Sequence, residues 1–348
     1  MTQPNALWYT RCPVPTTSGI AQHFRWLHAE FAQAGIALES IRAAENKAVR
    51  RSHYDHTHPN MFREGGNVPP LWARGLGRDT VVVGITWVDE EQLILVRADS
   101  AIETVEQLRG ARLGLPLHDS EIVDIGRAQD LRGLLTALEI GGIGRDEVTI
   151  VDLGGGDFDL REQRDGERVH LGAEALLSGK ADAIYAKGAV SATLIEKHGF
   201  RAILDINAQD NPLARVNAGT PRPITVDGTL AREHPEIVAR YLAVLQKTAE
   251  WAATHPEEVV RAIAAETHAS EAAVRRGFGP HLHERFTVAL SPLNVQGLRQ
   301  QKDFLVAEGF IQDFDFDNWI DPAPLALAAD IAPGILLDTI PSLESADA

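Results

Sequence analysis

The side chain in this sequence with the most versatile chemistry is Cys12, the only cysteine among 348 residues, which lies in the segment YTRCPVPTT, residues 9–17. A thiolate can attack an electrophile, whereas a neutral thiol can donate a proton. The run LWYTRC predicts a first strand and residues 20–35 predict a first helix, so Cys12 falls at the carboxyl end of the strand. We expect N–H groups at the start of this helix to lie near the sulfur and to favour an anion or a thiolate. The alternative is a small buried hydrophobic side chain.

A second group of polar side chains lies in the segment SHYDHTHPNMFREGGNVPPLWARGLG, residues 52–77. An arginine can hold an oxyanion in a bidentate way, a glycine backbone N–H can add a second donor, and a histidine can act as acid, base or thiol partner. The residues in this segment that could serve these roles are His53, His56, His58, Arg63, Gly65 and Gly66. A metal site on the H-x-x-H-x-H spacing is a weaker alternative, because no Cys or Glu pattern completes it. A solvated loop is the third interpretation.

Composition limits the class of partner. The chain has 33 Lys+Arg against 49 Asp+Glu, which gives a formal charge of −16 that repels nucleic acid and anionic lipid. One cysteine cannot form an internal disulfide. We find no pattern of a signal peptide or a transmembrane helix. We therefore expect a cytoplasmic protein with a small-molecule partner and neither nucleic acid nor membrane as a partner.

The elements that must position these residues alternate between short apolar runs and longer amphipathic segments, which predicts an α/β fold with a parallel sheet and helices on both of its faces. Strands are expected at 81–88, 93–98, 111–117, 147–153 and 201–206. Helices are expected at 102–110 and 128–143, and a helix followed by a strand at 173–186. After residue 225 the pattern predicts helices at 234–256, 258–267, 270–278 and 294–310.

The segment LVRADSAIETVEQLRGARLGL, residues 95–115, resembles the crossover of type II periplasmic-binding-protein folds. This resemblance implies a two-domain α/β fold with central mixed sheets flanked by helices and a ligand cleft between the domains. Domain one would be discontinuous, with residues 1–98 and 225–348, and would carry Cys12 and the loop 52–66. Domain two would contain residues 99–224. The alternative is one large α/β sheet with a helical appendage.

Two motifs, Y-x-x-C-P-V-P and H-x9-R-x-G-G-x-x-P-P-L, resemble those of the 2'-hydroxybiphenyl-2-sulfinate desulfinase family, the last enzymes of sulfur-specific dibenzothiophene desulfurisation. The similarity extends to residues 132–153, 178–185, 277–279 and 318–319. It implies a cytoplasmic, monomeric hydrolase that cleaves the carbon–sulfur bond of an aryl sulfinate without a metal or organic cofactor. The roles that it implies are essential thiol for Cys12, thiol partner for His53, sulfinate anchor for Arg63 and backbone donor for Gly66, beside Gly65.

The chain departs from the family at positions that shape the aromatic pocket. His56, Thr57, His58 and Asn60 lie where the family has aromatic and small residues, and Glu64 lies where it has an aromatic one. The family also has a tryptophan near the position of Gln129. The aromatic substrate is therefore left open, and His56 and His58 are candidates to bind a hydroxyl group on it.

Other functions remain open on the residues alone. Cys12 could act as a nucleophile on sulfur or as a proton donor to carbon. A non-catalytic solute-binding protein for a sulfonate, nitrate or aromatic anion would have the same fold. An enzyme of pyrimidine-precursor synthesis would also share this fold, but it would require a cysteine- and histidine-rich motif that this chain lacks.

Overall fold

The computed structural model describes residues 3–118, 121–155 and 171–337. Within these ranges the strands are β1 (Ala6–Arg11), β2 (Ala37–Ser40), β3 (Met61–Glu64), β4 (Thr80–Thr86), β5 (Gln92–Val96), β6 (Arg112–His118), β7 (Thr149–Gly155), β8 (Ala183–Lys187), β9 (Arg201–Asp205) and β10 (Arg222–Asp227). The α-helices in the same ranges are α1 (Thr17–His23), α2 (Trp26–Gln33), α3 (Lys47–Asp55), α4 (Val68–Gly75), α5 (Ile125–Ile140), α6 (Leu171–Leu177), α7 (Gly188–His198), α8 (Gly228–Glu233), α9 (Pro235–Ala252), α10 (Pro256–Thr267), α11 (Glu271–Phe278), α12 (Pro292–Ala307) and α13 (Ala323–Ile331). None of these helices is both long enough and apolar enough to cross a bilayer.

The chain forms two compact units, each built on its own sheet. The first unit contains the described residues within 1–88, 219–267 and 281–348, and the second those within 89–218 and 268–280. This division crosses the chain between Val88 and Asp89, earlier than the boundary expected after residue 98, because β5 pairs with β8 and β9 in the second sheet. The domain division predicted from the sequence, with residues 1–98 and 225–348 in one domain and 99–224 in the other, stays a prediction.

The sheet of the first unit has the strand order β2-β1-β3-β10-β4. β1 runs parallel to both β2 and β3, whereas β10 runs antiparallel to both β3 and β4, so the sheet is mixed. In the pairing of β1 with β3, Thr10 is opposite Arg63 and Arg11 is opposite Glu64. Because both strands end at the same edge of the sheet, the segment after Arg11 and the segment after Glu64 begin side by side.

The sheet of the second unit has the order β7-β6-β8-β5-β9 and is also mixed. β6 is parallel to β7 and β8, while β5 is antiparallel to β8 and β9. Buried side chains from β5, β7, β8 and α6 form a hydrophobic core on this sheet, including Leu95, Leu153, Leu176 and Ile184. The purely parallel pairing that the β-α-β alternation suggests is therefore interrupted by one antiparallel strand in each unit.

The predicted first helix at 20–35 is two helices. Arg25 has a φ of 60°, in the left-handed region, and it separates α1 from α2. The break allows Phe24 and Trp26 to stack on each other and to contact Trp251 of α9, with ring centroids 4.8 and 4.9 Å from that ring. A helix that continued through residue 25 would place residues 24 and 26 about 200° apart around its axis.

The expected helix at 102–110 is also shorter than its pattern suggests. The structure contains a single 3-10 turn, Val105–Leu108, which is capped by Thr104 and Gln107. Gly110 follows with a φ of 75°, and its left-handed conformation directs the chain into β6.

Candidate active site

The carboxyl ends of β1 and β3 bring Cys12 next to Arg63. The backbone N–H of Cys12 continues the ladder by donating to the carbonyl oxygen of Glu64, with an N···O distance of 3.3 Å. The thiol is half-buried, and its sulfur accepts a hydrogen bond from Nη2 of Arg63 at 3.2 Å. Cys12 is therefore in a polar environment and not among packed apolar side chains, in contrast to the buried-hydrophobe interpretation.

His53 lies in the last turn of α3 and is the second neighbour of the thiol. Its Nε2 is 3.9 Å from Sγ of Cys12, and its Nδ1 is 2.7 Å from the hydroxyl oxygen of Thr10. Thr10 and Cys12 are two residues apart on an extended segment, so their side chains point to the same face of the sheet. Thr10 thus orients the ring of His53 toward the sulfur, and the three side chains form a thiol–imidazole–hydroxyl chain.

Arg63 is fully buried and its guanidinium links the parts of the site. Nε donates to the backbone oxygen of His53 at 3.1 Å, and Nη1 donates to the backbone oxygen of Gly66 at 2.8 Å. With the bond to Cys12, three of the five N–H groups of Arg63 are engaged by residues that the structure describes. These contacts leave one N–H on each terminal nitrogen of Arg63 unused.

Burial makes both neighbouring histidines weak bases. Desolvation, followed by the positive charge of Arg63, holds the pKa of His53 well below its usual value and lowers the pKa of His56 to about 3. Both rings are therefore neutral at neutral pH. A neutral imidazole has one unprotonated nitrogen that can accept a proton from a thiol, whereas an imidazolium has none.

His56 is buried, and both of its ring nitrogens have partners within the first unit. Nδ1 is 3.2 Å from the backbone oxygen of Tyr54, which can only accept, so Nδ1 carries the proton. Nε2 then accepts from the hydroxyl of Thr225 at 3.2 Å. His56 contributes to the lowered pKa of His53, but its own hydrogen bonds fix its ring to β10 and α3.

Gly65 is in contact with the thiol, and only glycine fits there. Its φ is +149°, and a Cβ at this position would lie 2.6 Å from Sγ and 3.0 Å from the backbone nitrogen of Cys12. Gly66 follows, half-buried, with its oxygen directed at Arg63. The glycine pair therefore allows the backbone after β3 to pass in direct contact with Cys12.

The structure does not bring His58 to this group. Its ring packs on Trp8, with centroids 4.5 Å apart, and its Nδ1 donates to the oxygen of Pro59. Trp8 precedes Cys12 by four residues on an extended strand, a separation of about 13 Å. Since the three histidines have separate partners, they do not converge, and the described residues contain no group of three or more His, Cys, Asp or Glu that could hold a metal.

The expectation that the first helix offers free N–H groups to the sulfur is wrong. The N–H groups of Thr17 and Ser18 donate to the carboxylate of Glu64, at 3.1 and 2.7 Å. Thr16 caps the third N–H, that of Gly19, at 3.0 Å. Sequence reasoning missed the roles of Thr10 and Glu64, although the two-residue spacing from Thr10 to Cys12 was a usable signal.

The chain is similar in sequence and in fold to proteins of known function. The chain is 28% identical over 356 aligned residues to the 2'-hydroxybiphenyl-2-sulfinate desulfinases of Rhodococcus erythropolis and Rhodococcus qingshengii, covering 91% of this chain and 92% of each relative. A crystal structure of a mutant of the desulfurization enzyme DszB in complex with biphenyl-2-sulfinic acid superposes with a TM-score of 0.74 at 26% identity, covering 93% of this chain and 99% of that one. No family model matches the chain.

The fold is shared more widely than the sequence. The periplasmic aliphatic sulphonate binding protein SsuA from Escherichia coli superposes with a TM-score of 0.65 at 16% identity, over 92% of both chains. This likeness confirms the predicted periplasmic-binding-protein-like α/β fold with mixed sheets. Together with the match in sequence over 91% of the chain, it confirms that this chain resembles the 2'-hydroxybiphenyl-2-sulfinate desulfinases in both sequence and fold.

Proposed function

We propose that the chain is a desulfinase that cleaves the carbon–sulfur bond of 2'-hydroxybiphenyl-2-sulfinate or a related aromatic sulfinate. The observation that carries the proposal is the contact of the Cys12 sulfur with both a buried guanidinium, at 3.2 Å, and a neutral imidazole, at 3.9 Å. A protein that only binds an anion needs the guanidinium but has no use for a thiol paired with a histidine. The similarity to named desulfinases supports the same assignment.

Arg63 is the proposed anchor for the sulfinate. Its two remaining N–H groups lie on different terminal nitrogens, which matches the two oxygens of a sulfinate. Its other donors are bound to the backbone oxygens of His53 and Gly66, so the guanidinium plane is fixed before substrate arrives. Gly66, whose carbonyl oxygen holds Arg63, is the proposed source of a further backbone donor.

The reaction consumes one water: an aryl sulfinate and water give an arene and bisulfite. In one route the Cys12 thiol protonates the ring carbon, the carbon–sulfur bond breaks, and the departing sulfur dioxide takes up water as the thiol recovers its proton. In the other route Cys12 gives its proton to His53 and the thiolate attacks sulfur, the ring carbon leaves with the bonding electrons and takes that proton, and water then releases bisulfite and restores the thiol. His53, oriented by Thr10, is the proposed relay for the transferred proton in either route, and because its pKa is lowered it would pass the proton on and not retain it.

Because the net reaction adds water across a carbon–sulfur bond, we assign the enzyme to the hydrolases. From the resemblance alone we also infer a cytoplasmic monomer that needs no metal or organic cofactor. Sedimentation of the purified protein would test the monomer, and turnover after chelation and dialysis would test the cofactor.

The experiment that tests the function is sulfite release from 2'-hydroxybiphenyl-2-sulfinate by the wild type and by Cys12→Ser. We expect sulfite from the wild type alone, with similar thermal unfolding for both proteins, because serine differs from cysteine only by a smaller oxygen in place of sulfur and the position is half-buried. A thermal shift with this ligand but no sulfite from the wild type would favour a binding protein for an aromatic anion. Equal turnover by both proteins would remove Cys12 from the mechanism.

A further inference from the structure

One residue holds both ends of the loop that carries the thiol. The carbonyl oxygen of Glu64 accepts the N–H of Cys12, where the loop starts. The carboxylate of Glu64 accepts the N–H groups of Thr17 and Ser18, where the loop ends, through Oε1 at 3.1 Å and Oε2 at 2.7 Å. The loop between these points, residues 12–17, is thus tied at its start and its end to a single position at the end of β3.

The carboxylate is itself held from the opposite side. The hydroxyl of Thr86, on β4, donates to Oε1 at 3.1 Å, and the Glu64 side chain is 1% exposed. Burial raises the pKa of Glu64, while its hydrogen bonds with Thr17, Ser18 and Thr86 oppose that rise. A buried carboxylate that accepts two amide N–H groups and a hydroxyl has a well-defined position, so it can define the position of the loop.

The loop makes few other backbone hydrogen bonds to the rest of the unit. Pro13 and Pro15 have no N–H to donate, and the N–H of Val14 donates within the loop, to the oxygen of Cys12. The hydroxyl of Thr17 adds one bond, to the oxygen of Phe286. Without the Glu64 carboxylate, the far end of the loop would lose both of its amide hydrogen bonds, leaving the bond from the Thr17 hydroxyl to Phe286 and the packing of the buried first turn of α1.

We propose that Glu64 is a positioning residue that keeps the Cys12 sulfur against Arg63 and His53 by clamping both ends of the 12–17 loop. Glu64 lies between Arg63 and Gly65, so the strand end that supplies the anion anchor also supplies the clamp for the thiol. The catalytic consequence rests on the proposed function, whereas the clamp itself does not.

The first test compares Glu64→Gln with Thr86→Val. The glutamine retains the size of the side chain but has one acceptor oxygen in place of two, so it loses one of the two amide bonds. The valine removes the third bond to the same carboxylate without touching the loop. We expect hydrogen exchange of the amides in residues 12–18 to rise about tenfold in Glu64→Gln, which loses a bond to the loop itself, and to rise clearly less in Thr86→Val, which loses only a bond behind the carboxylate.

Turnover and binding then separate positioning from general loosening. In Glu64→Gln we expect kcat for sulfite release to fall roughly 10- to 100-fold, while sulfinate affinity, measured in a Cys12→Ser background, stays within about twofold. Thr86→Val should retain most of its kcat. A general loss of structure would weaken sulfinate binding and lower kcat together.

A second pair of variants tests the clamp if Glu64→Gln fails to fold. Thr17→Pro deletes the N–H donor at the first position of α1, where proline is well tolerated, and Thr16 before it is already extended, with φ −140° and ψ 150°. Thr17→Val keeps the N–H and removes only the hydroxyl bond to Phe286. We expect Thr17→Pro to lose more kcat than Thr17→Val.

Unchanged exchange in residues 12–18 of Glu64→Gln, or equal kcat values in the two Thr17 variants, would overturn the clamp. Faster exchange with wild-type kcat would overturn the positioning role. If the wild type releases no sulfite, the proposed function fails, and the exchange measurement still decides whether Glu64 holds the loop.

Discussion

Replacing Gly65 with alanine would test whether the close approach of the β3 end to Cys12 matters for the reaction. A Cβ at residue 65 would lie 2.6 Å from Sγ and 2.9 Å from Cβ of Cys12, both shorter than real contacts of this kind. The atom at 3.0 Å is the backbone nitrogen of Cys12, which cannot rotate away. The Cys12 loop therefore has to move as a unit.

The size of the effect follows from these distances. The contact with sulfur is about 0.8 Å short of the 3.4 Å at which ordinary van der Waals contact begins. A displacement of this size away from Arg63 would lengthen the hydrogen bond from Arg63 to Sγ from 3.2 Å to about 4.0 Å and so weaken it strongly. A misplacement of about 1 Å in a reacting group can cost roughly 100-fold in rate, and the φ of +149° adds about 1–3 kcal/mol of backbone strain with a side chain.

The assay is sulfite release together with urea unfolding, and Gly77→Ala is the matched control. Gly77 also has a positive φ, +80°, but a Cβ there meets nothing within 4 Å. We expect Gly77→Ala to lose about 1 kcal/mol of stability and to keep its turnover. Gly65→Ala should lose stability and turnover together. A Gly65→Ala enzyme with the turnover of the wild type would show that the thiol does not need the position described here.

Two further variants address the anion and the buried histidines. Arg63→Ala should weaken sulfinate binding by roughly 2–4 kcal/mol in calorimetry of a Cys12→Ser background, because the buried anion loses its charged partner; unchanged affinity would mean that Arg63 is not the anchor. His56 has a pKa of about 3 when folded and about 6.5 when unfolded, so the unfolded chain binds more protons between these values and stability falls as pH drops below 6.5. Asparagine tolerates the φ of 52° at this position. Between pH 7 and pH 5, the free energy of unfolding in urea should therefore fall by about 2 kcal/mol less in His56→Asn than in the wild type. An identical pH dependence in the two proteins would show that His56 does not titrate in this way.

The sequence alone predicted most of the strands and long helices and the identity of the central residues. The loop predicted at 52–66 is wrong, because α3 (Lys47–Asp55) extends into this segment and Met61–Glu64 forms β3. Apolar runs bounded by glycine and proline predict the strands, since both signals act over a few neighbouring residues. Cys12 at the end of β1 and Arg63 beside Gly65 and Gly66 could be read from motifs. The long helices α5, α9 and α12 were also predictable, because each repeats its apolar positions over several turns.

Only the tertiary structure decided which of these residues meet. His53 reaches Cys12 because α3 ends beside β1, and Thr10, 43 residues away in sequence, orients its ring. His58 follows His53 by five residues, yet it packs on Trp8 away from the thiol, because the chain turns at His56 with a φ of 52°. Glu64 takes the N–H groups of α1 that a sequence-based argument assigns to the sulfur. Such contacts depend on the register of β1 with β3 and on which donor is nearest in space, and neither is encoded in the local pattern of either segment.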